Sequence, residues 1–232
     1  MKAFFAILKV ELKLATRNPD MILFGIAFPI AIMLLLGFIS KPEAIRLDFG
    51  GVIAFGICAS GLTGFPRHRK VFKRLRATPA SPALLLGAQA VVQCVYVSVS
   101  ALAIFLIARF AFGVNVAGGA ARFIASFLLV QFSIFGIGLL VGSLSPNMKV
   151  ANAVTSLLYF PMIFLSGATI PFEILPRGVQ VAAEIFPMTQ GIKLLKGAVL
   201  GSPMDGLAAP IAILCVLAIV SYGISIKFFR WD

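Results

Sequence analysis

The sequence predicts an all-α polytopic membrane protein. It has six transmembrane helices, an N-terminal amphipathic interface helix, a short cytoplasmic helix between spans two and three, and an outer helical hairpin between spans five and six. Three observations carry this. Hydrophobic residues make up 60% of the 232 residues, charged residues 12%, and the mean hydropathy is +1.05. A soluble domain is about half apolar and a quarter charged. The apolar residues fall into six stretches near the roughly 20 residues that a helical span needs. The basic residues, in net excess by 12, are unevenly distributed between the connections. A soluble enzyme is excluded, and the apolar residues are spread too evenly for one anchor carrying a soluble domain. A single membrane domain over residues 1–232 is expected.

Residues 1–20 come first. Phe4, Ile7, Leu8, Leu12 and Leu14, with Val10 loosely, gather toward one side at helical spacing, with Lys2, Lys9, Lys13 and Arg17 off it. Such a helix lies in the membrane interface with its bases toward anionic headgroups; a plain soluble extension of the first span is the alternative. Lys9, Glu11 and Lys13 interrupt any apolar signal-peptide core, so cleavage is not expected. Pro19 disfavours a helical residue before it and stops the element.

Spans one to five occupy residues 21–170. The first, residues 21–39, carries Pro29 as an expected kink. The second, residues 49–65, is the shortest and is rich in glycine. The third, residues 83–112, is long enough to tilt or protrude. The fourth covers residues 123–144, with Gly138 and Gly142 spaced for close helix approach. The fifth covers residues 150–170. Residues 171–206 form an outer re-entrant hairpin of two short amphipathic helices separated by Pro187, at or dipping into the outer interface. Span six and a tail complete residues 207–232.

With the N-terminus inside, 13 of the 20 Lys+Arg fall on the cytoplasmic side, six of them within residues 67–76. Five of the eight acidic residues fall outside. Both termini are therefore cytoplasmic, because basic residues are retained inside. The same count explains the +12 charge without a nucleic-acid partner.

The motifs for chemistry are absent. The sequence contains no G-x-x-x-x-G-K-[ST] loop, no H-E-x-x-H and no G-x-S-x-G, and His68 is its one histidine. Cys58, Cys94 and Cys215 lie far apart in apolar runs and suggest neither disulfides nor zinc. No span carries a central carboxylate of the kind that relays protons. The chain is not expected to be an enzyme. It moves or anchors something, with energy from a partner or from the substrate's own gradient.

The most informative connection is PRHRKVFKRLRATPASP, residues 66–82. Val71, Phe72 and Leu75 share one side of a helical turn among bases, and Thr78-Pro79 and Ser81-Pro82 end it. Docking into a partner's groove and binding to lipid headgroups both account for it.

KRLRATPASPALLLGAQ resembles the signature that follows the second span of exporter permeases of the ATP-binding-cassette superfamily, second permease type. SLSPNMKVANAVTSLLYFPMIFLSGATIPFEILPRGVQVAAEIFPMTQGIKLLKG is similar to that family's fifth span and outer hairpin, and RNP before the first span also fits. The resemblance covers essentially the whole chain. It implies a half-transporter that exports a lipophilic or amphipathic substrate (drug, antibiotic, peptide or lipid-like). The alternatives are a lipid-linked polysaccharide or a non-transporting scaffold. It further implies a cell inner-membrane location and a second permease copy, a homodimer first and a similar chain otherwise. Alternating access would occur at the dimer interface, amid membrane lipid. Separate ATPase subunits would bind ATP and Mg, and this chain would bind no cofactor or metal itself.

Carried onto this sequence, the resemblance makes residues 67–78 the coupling helix that contacts the ATPase, through Arg67, Arg69, Lys70, Phe72, Arg74, Leu75, Arg76 and Thr78. Lys9, Lys13 and Arg17 belong to the interface helix. Phe24, Phe28, Phe55, Thr63, Thr155, Tyr159, Phe160 and Phe164 would line the substrate pathway. One departure stands out. Family members often carry a Glu-rich ExExGT stretch just before the coupling helix. Here Arg67-His68-Arg69-Lys70-Val71-Phe72 stands in its place, which leaves open whether the charge pairing with the ATPase is inverted.

Overall fold

A computed structural model describes residues 8–10, 12–13, 22–39, 42–63, 82–168, 172 and 175–227. Among them all regular structure is helical. A π-helical stretch, Leu23–Ala27, runs into α1, Phe28–Ile39. Then follow α2 (Pro42–Thr63), α3 (Pro82–Phe112), α4 (Ala120–Leu144), α5 (Met148–Leu165), α6 (Arg177–Ala183) and α7 (Pro187–Leu200). A 3-10 turn, Asp205–Leu207, leads into α8, Ala208–Lys227. Among the described residues three segments are long and apolar enough to cross a membrane: Ala90–Phe112, Ala120–Leu144 and Ala208–Lys227. Three shorter apolar helices, Gly25–Ile39, Phe49–Ser60 and Lys149–Leu165, accompany them.

Local chemistry explains the boundaries. Pro29 has no N–H, and its ring crowds the carbonyl four residues back. The preceding π turn widens the helix there, as such bulges do. Asn147 caps α5, its Oδ1 accepting from the Val150 amide at 2.9 Å. α5 ends at Leu165, five residues earlier than expected, because Gly167 turns the chain with φ 88°. Pro187 opens α7 from its first turn, and left-handed Gly201 closes it.

The largest departure from expectation is α2. The apolar run beginning at Phe49 looked like the shortest span, yet the helix starts at Pro42 and is 22 residues long. Proline suits a first helical turn. α2 is also central: it packs against α1, α3, α4, α5 and α7, and residues 49–60 are all buried. A helix surrounded by protein needs no continuous apolar face toward lipid, so charged residues and glycines shorten its apolar window.

Lipid is as apolar as leucine, so such a bundle holds together by close packing and internal hydrogen bonds. Both are present. Phe49 stacks on Phe123 at 5.9 Å between ring centroids and meets Phe105 at 6.4 Å. On α4, Ser133 Oγ donates toward the Leu214 carbonyl of α8 at 2.8 Å. A Cβ added at Gly136 would meet Ser221 Cβ at 3.0 Å, so glycine sets the α4–α8 approach. Gln131, fully buried, donates from Nε2 to the Cys94 carbonyl of α3 at 3.1 Å. Hydrogen bonds of this kind average about 0.6 kcal/mol and reach about 1.7 in membrane bundles. Gln131→Leu is therefore expected to cost no more than about 2 kcal/mol in mixed-micelle unfolding. A loss well beyond that would mean that Gln131 holds more than this contact.

Candidate substrate pathway and outer hairpin

The π stretch and α1 approach α2 through small residues, and α5 joins α2 through aromatic contact. A Cβ at Gly25 would stand 2.8 Å from Ser60 Oγ, and one at Gly56 would stand 3.4 Å from Pro29 Cγ. This seam gathers four of the expected pathway residues into a continuous aromatic chain. Phe28 lies 5.5 Å from Phe55, Phe55 lies 6.5 Å from Tyr159, and Tyr159 meets Phe160 edge-on at 5.7 Å. Phe28, Phe160 and Phe164 are exposed, whereas Tyr159 and Thr155 are half-buried.

Phe55 departs from the expected role. It is only 4% exposed, so it backs Phe28 and Tyr159 and presents no surface of its own. The reason is the central position of α2, which faces protein all round at this level. Phe24 lies in the π stretch and Thr63 ends α2, but their side chains lie outside the described residues.

Lys9 and Lys13 lie in short helical segments and are exposed, whereas Leu8 packs with Ile26 against Val92 and Tyr96 of α3. Leu12 is exposed, so of this segment's described apolar residues only Leu8 is seated against the bundle. Arg17 lies outside the described residues. So do Arg67, Arg69, Lys70, Phe72, Arg74, Leu75, Arg76 and Thr78. Among the described residues no group of three or more His, Cys, Asp or Glu is placed to hold a metal ion.

The stretch expected as an outer hairpin, residues 171–206, contains α6 and α7. α7 inserts into the bundle and packs against α2, α4, α5 and α8. Gly50 of α2 permits this, because a Cβ there would meet the Lys196 backbone nitrogen at 3.1 Å. The far end of α7 is tied to the α3–α4 loop. The Ala117 amide donates to the Val199 carbonyl at 2.8 Å, and Gly118 donates to Ala198 at 3.1 Å. These bonds satisfy carbonyls that a helix end leaves open. Arg109 donates to Asn115 Oδ1 and steadies the same loop.

Two glutamines hold the hairpin's turns. Gln180 Nε2 donates to the Phe172 and Leu175 carbonyls at 3.2 and 2.7 Å, and Gln190 Nε2 donates to the Glu184 carbonyl at 2.6 Å. Lys193 Nζ pairs with Glu184 Oε1 at 2.7 Å and lies 5.4 Å from the Phe172 ring centroid. Sequence reading placed Glu184 and Lys193 on the outer side and did not pair them. The two short amphipathic helices on either side of Pro187 carried the signal.

A family model described as ABC-2 type transporter matches residues 2–200. The chain belongs to the ABC-2 type transporter family. It is therefore a membrane-embedded protein of the permease type, as the two long motifs implied. Among curated relatives, Nodulation protein J of Rhizobium leguminosarum bv. viciae is 31% identical over 94 residues, 40% of this chain and 36% of the relative. Nodulation protein J of Sinorhizobium fredii (strain NBRC 101917 / NGR234) is 31% identical over 98 residues, 42% of this chain and 37% of the relative. The same-named protein of Rhizobium meliloti is 29% identical over 102 residues, covering 44% and 39%. The matched stretch thus spans 36–39% of these relatives' own length.

Proposed function

We propose that this chain is the permease subunit of an ATP-driven exporter. A separate ABC ATPase powers it, and it moves an amphipathic substrate out of the cytoplasm through the interface between two permease copies. The observation that carries this reading is the ABC-2 family match over residues 2–200. Six spans, cytoplasmic termini, an inner-membrane location and a homodimer complete it. The coupling role belongs to residues 67–78, and the exposed aromatic face of Phe28, Phe160 and Phe164 belongs to the pathway. Apolar and aromatic lining suits a lipophilic tail better than a bare ion, which needs polar coordination.

Two substrate classes compete, a drug-like molecule and a lipid-linked saccharide. The relatives, all named Nodulation protein J, favour the second over the first. The test is co-purification with the ATPase, followed by hydrolysis measurements in lipid discs. The chain alone is expected to hydrolyse no ATP, and the complex is expected to respond to the transported amphiphile. Hydrolysis by the purified chain alone would sink the assignment.

A further inference from the structure

The Glu184–Lys193 pair lies at a depth where charges are costly. On the proposed topology α4, long and apolar enough to span, starts at the outer side with Ala120, and Val130 lies ten residues along it, about 15 Å at 1.5 Å per residue. A Cβ at Gly191 would touch Val130 Cγ1 at 2.8 Å, so the start of α7 is level with Val130. The other end of α7 is bonded to the loop just before α4. α7 therefore runs beside α4, from the outer surface down to about half of the roughly 30 Å hydrocarbon thickness. Gln190 Nε2 holds the Glu184 main-chain carbonyl and Lys193 Nζ its carboxylate, which places the pair near the deep end of α7.

The side chains of Lys193 and Glu184 are nevertheless 37% and 54% exposed. An ionised pair at that depth is not stable against hydrocarbon, so it must border a polar or water-filled space. Lys193 is held by the Phe172 ring and by one carboxylate oxygen. That leaves ammonium protons and carboxylate lone pairs for a further partner on the exposed side chains. The pair has no net charge. It therefore offers a donor and an acceptor side by side, which suits adjacent hydroxyl groups and gives no advantage to an ion.

We infer that Glu184 and Lys193 form a polar subsite in the outer half of the membrane for the neutral, hydroxyl-bearing head of an amphiphile. This deepens the exporter reading and rests on it for direction and physiological role. The Glu184 carboxylate accepts from one hydroxyl and Lys193 Nζ donates to its neighbour.

The test uses the full chain in lipid discs, without an ATPase. Its probes are an octyl glucoside and an octanol, both radiolabelled and kept below disc-disrupting concentrations. The wild-type chain is expected to bind the glucoside at least fivefold more tightly than the alcohol. E184Q and K193Q are expected to erase that preference and leave alcohol binding unchanged. The exchanged pair E184K/K193E keeps the ion pair and guards against misfolding; it is expected to retain folding and recover part of the preference. Equal binding of both probes by the wild-type chain overturns the subsite. So does loss of both probes together with a lowered unfolding midpoint in E184Q and K193Q, which would make the pair a brace for the hairpin. Probe discrimination without any ATPase coupling supports the subsite and removes the exporter reading. Coupled export without discrimination does the reverse.

Discussion

Gly118→Val is expected to lower the stability of the permease by about 3 kcal/mol or more. A Cβ at this position would lie 2.3 Å from the Ala198 carbonyl oxygen and 3.1 Å from its carbon. Both atoms are backbone, at the end of a buried helix, so no rotamer change relieves the overlap. The α3–α4 loop would have to lift from α7. It would give up the bonds from Ala117 to Val199 and from Gly118 to Ala198. Overpacking typically costs about 1–3 kcal/mol. Each lost hydrogen bond adds about 0.5–1.5. Thermal unfolding in detergent, read by fluorescence or by loss of monodisperse protein, measures the effect. Gly178→Ala is the control, because a Cβ there meets nothing within 4 Å; its midpoint should stay put or rise slightly, as alanine is the better helix former. A wild-type midpoint for Gly118→Val would refute the seating of α7 against this loop.

The second large effect is expected at the coupling segment. Under the proposed function, Leu75→Ala and Arg76→Ala should each reduce export at least tenfold, about 1.4 kcal/mol of lost coupling. The folding of the permease should be unchanged, because residues 67–78 lie in a connection between spans. ATPase activity of the complex should persist but stop responding to substrate. Basal hydrolysis, substrate stimulation and export in proteoliposomes separate these quantities. Export at wild-type levels from both variants would remove the coupling role of this segment and favour headgroup binding by its bases. The departure from a Glu-rich stretch suggests one more comparison. Reversing Arg67 and Arg69 to glutamate tests whether the ATPase surface that meets them is acidic.

Much of the fold was legible in the sequence, for local reasons. Residues 83–112 and 123–144 were placed within three residues of α3 and α4, because long apolar runs end at charges, glycines and prolines. The division of the outer hairpin at Pro187 was equally legible, since proline sits well in a first turn and poorly inside a helix. The early start of α2 was not legible. Glu43, Arg46 and Asp48 read as a loop, and nothing local says that the helix already begins at Pro42. Phe28, Tyr159 and Phe160, expected together from helix assignment, do lie in one aromatic chain. The burial of Phe55 needed the packing partners of α2.

The sequence by itself determined a membrane protein of the ABC-2 type, the order of its apolar helices and the two short helices divided at Pro187. Composition, periodicity, turn residues and linear motifs carry those properties, and each acts over a few residues. Tertiary structure alone decided that α2 is the central helix, that α7 inserts beside α4, and that Glu184 meets Lys193 over Phe172. The physical reason is that a side chain facing lipid and one facing another helix are equally apolar, so hydropathy cannot distinguish them. The distinction appears in close approaches such as Gly50 against Lys196 and Gly25 against Ser60, which join residues far apart in the chain.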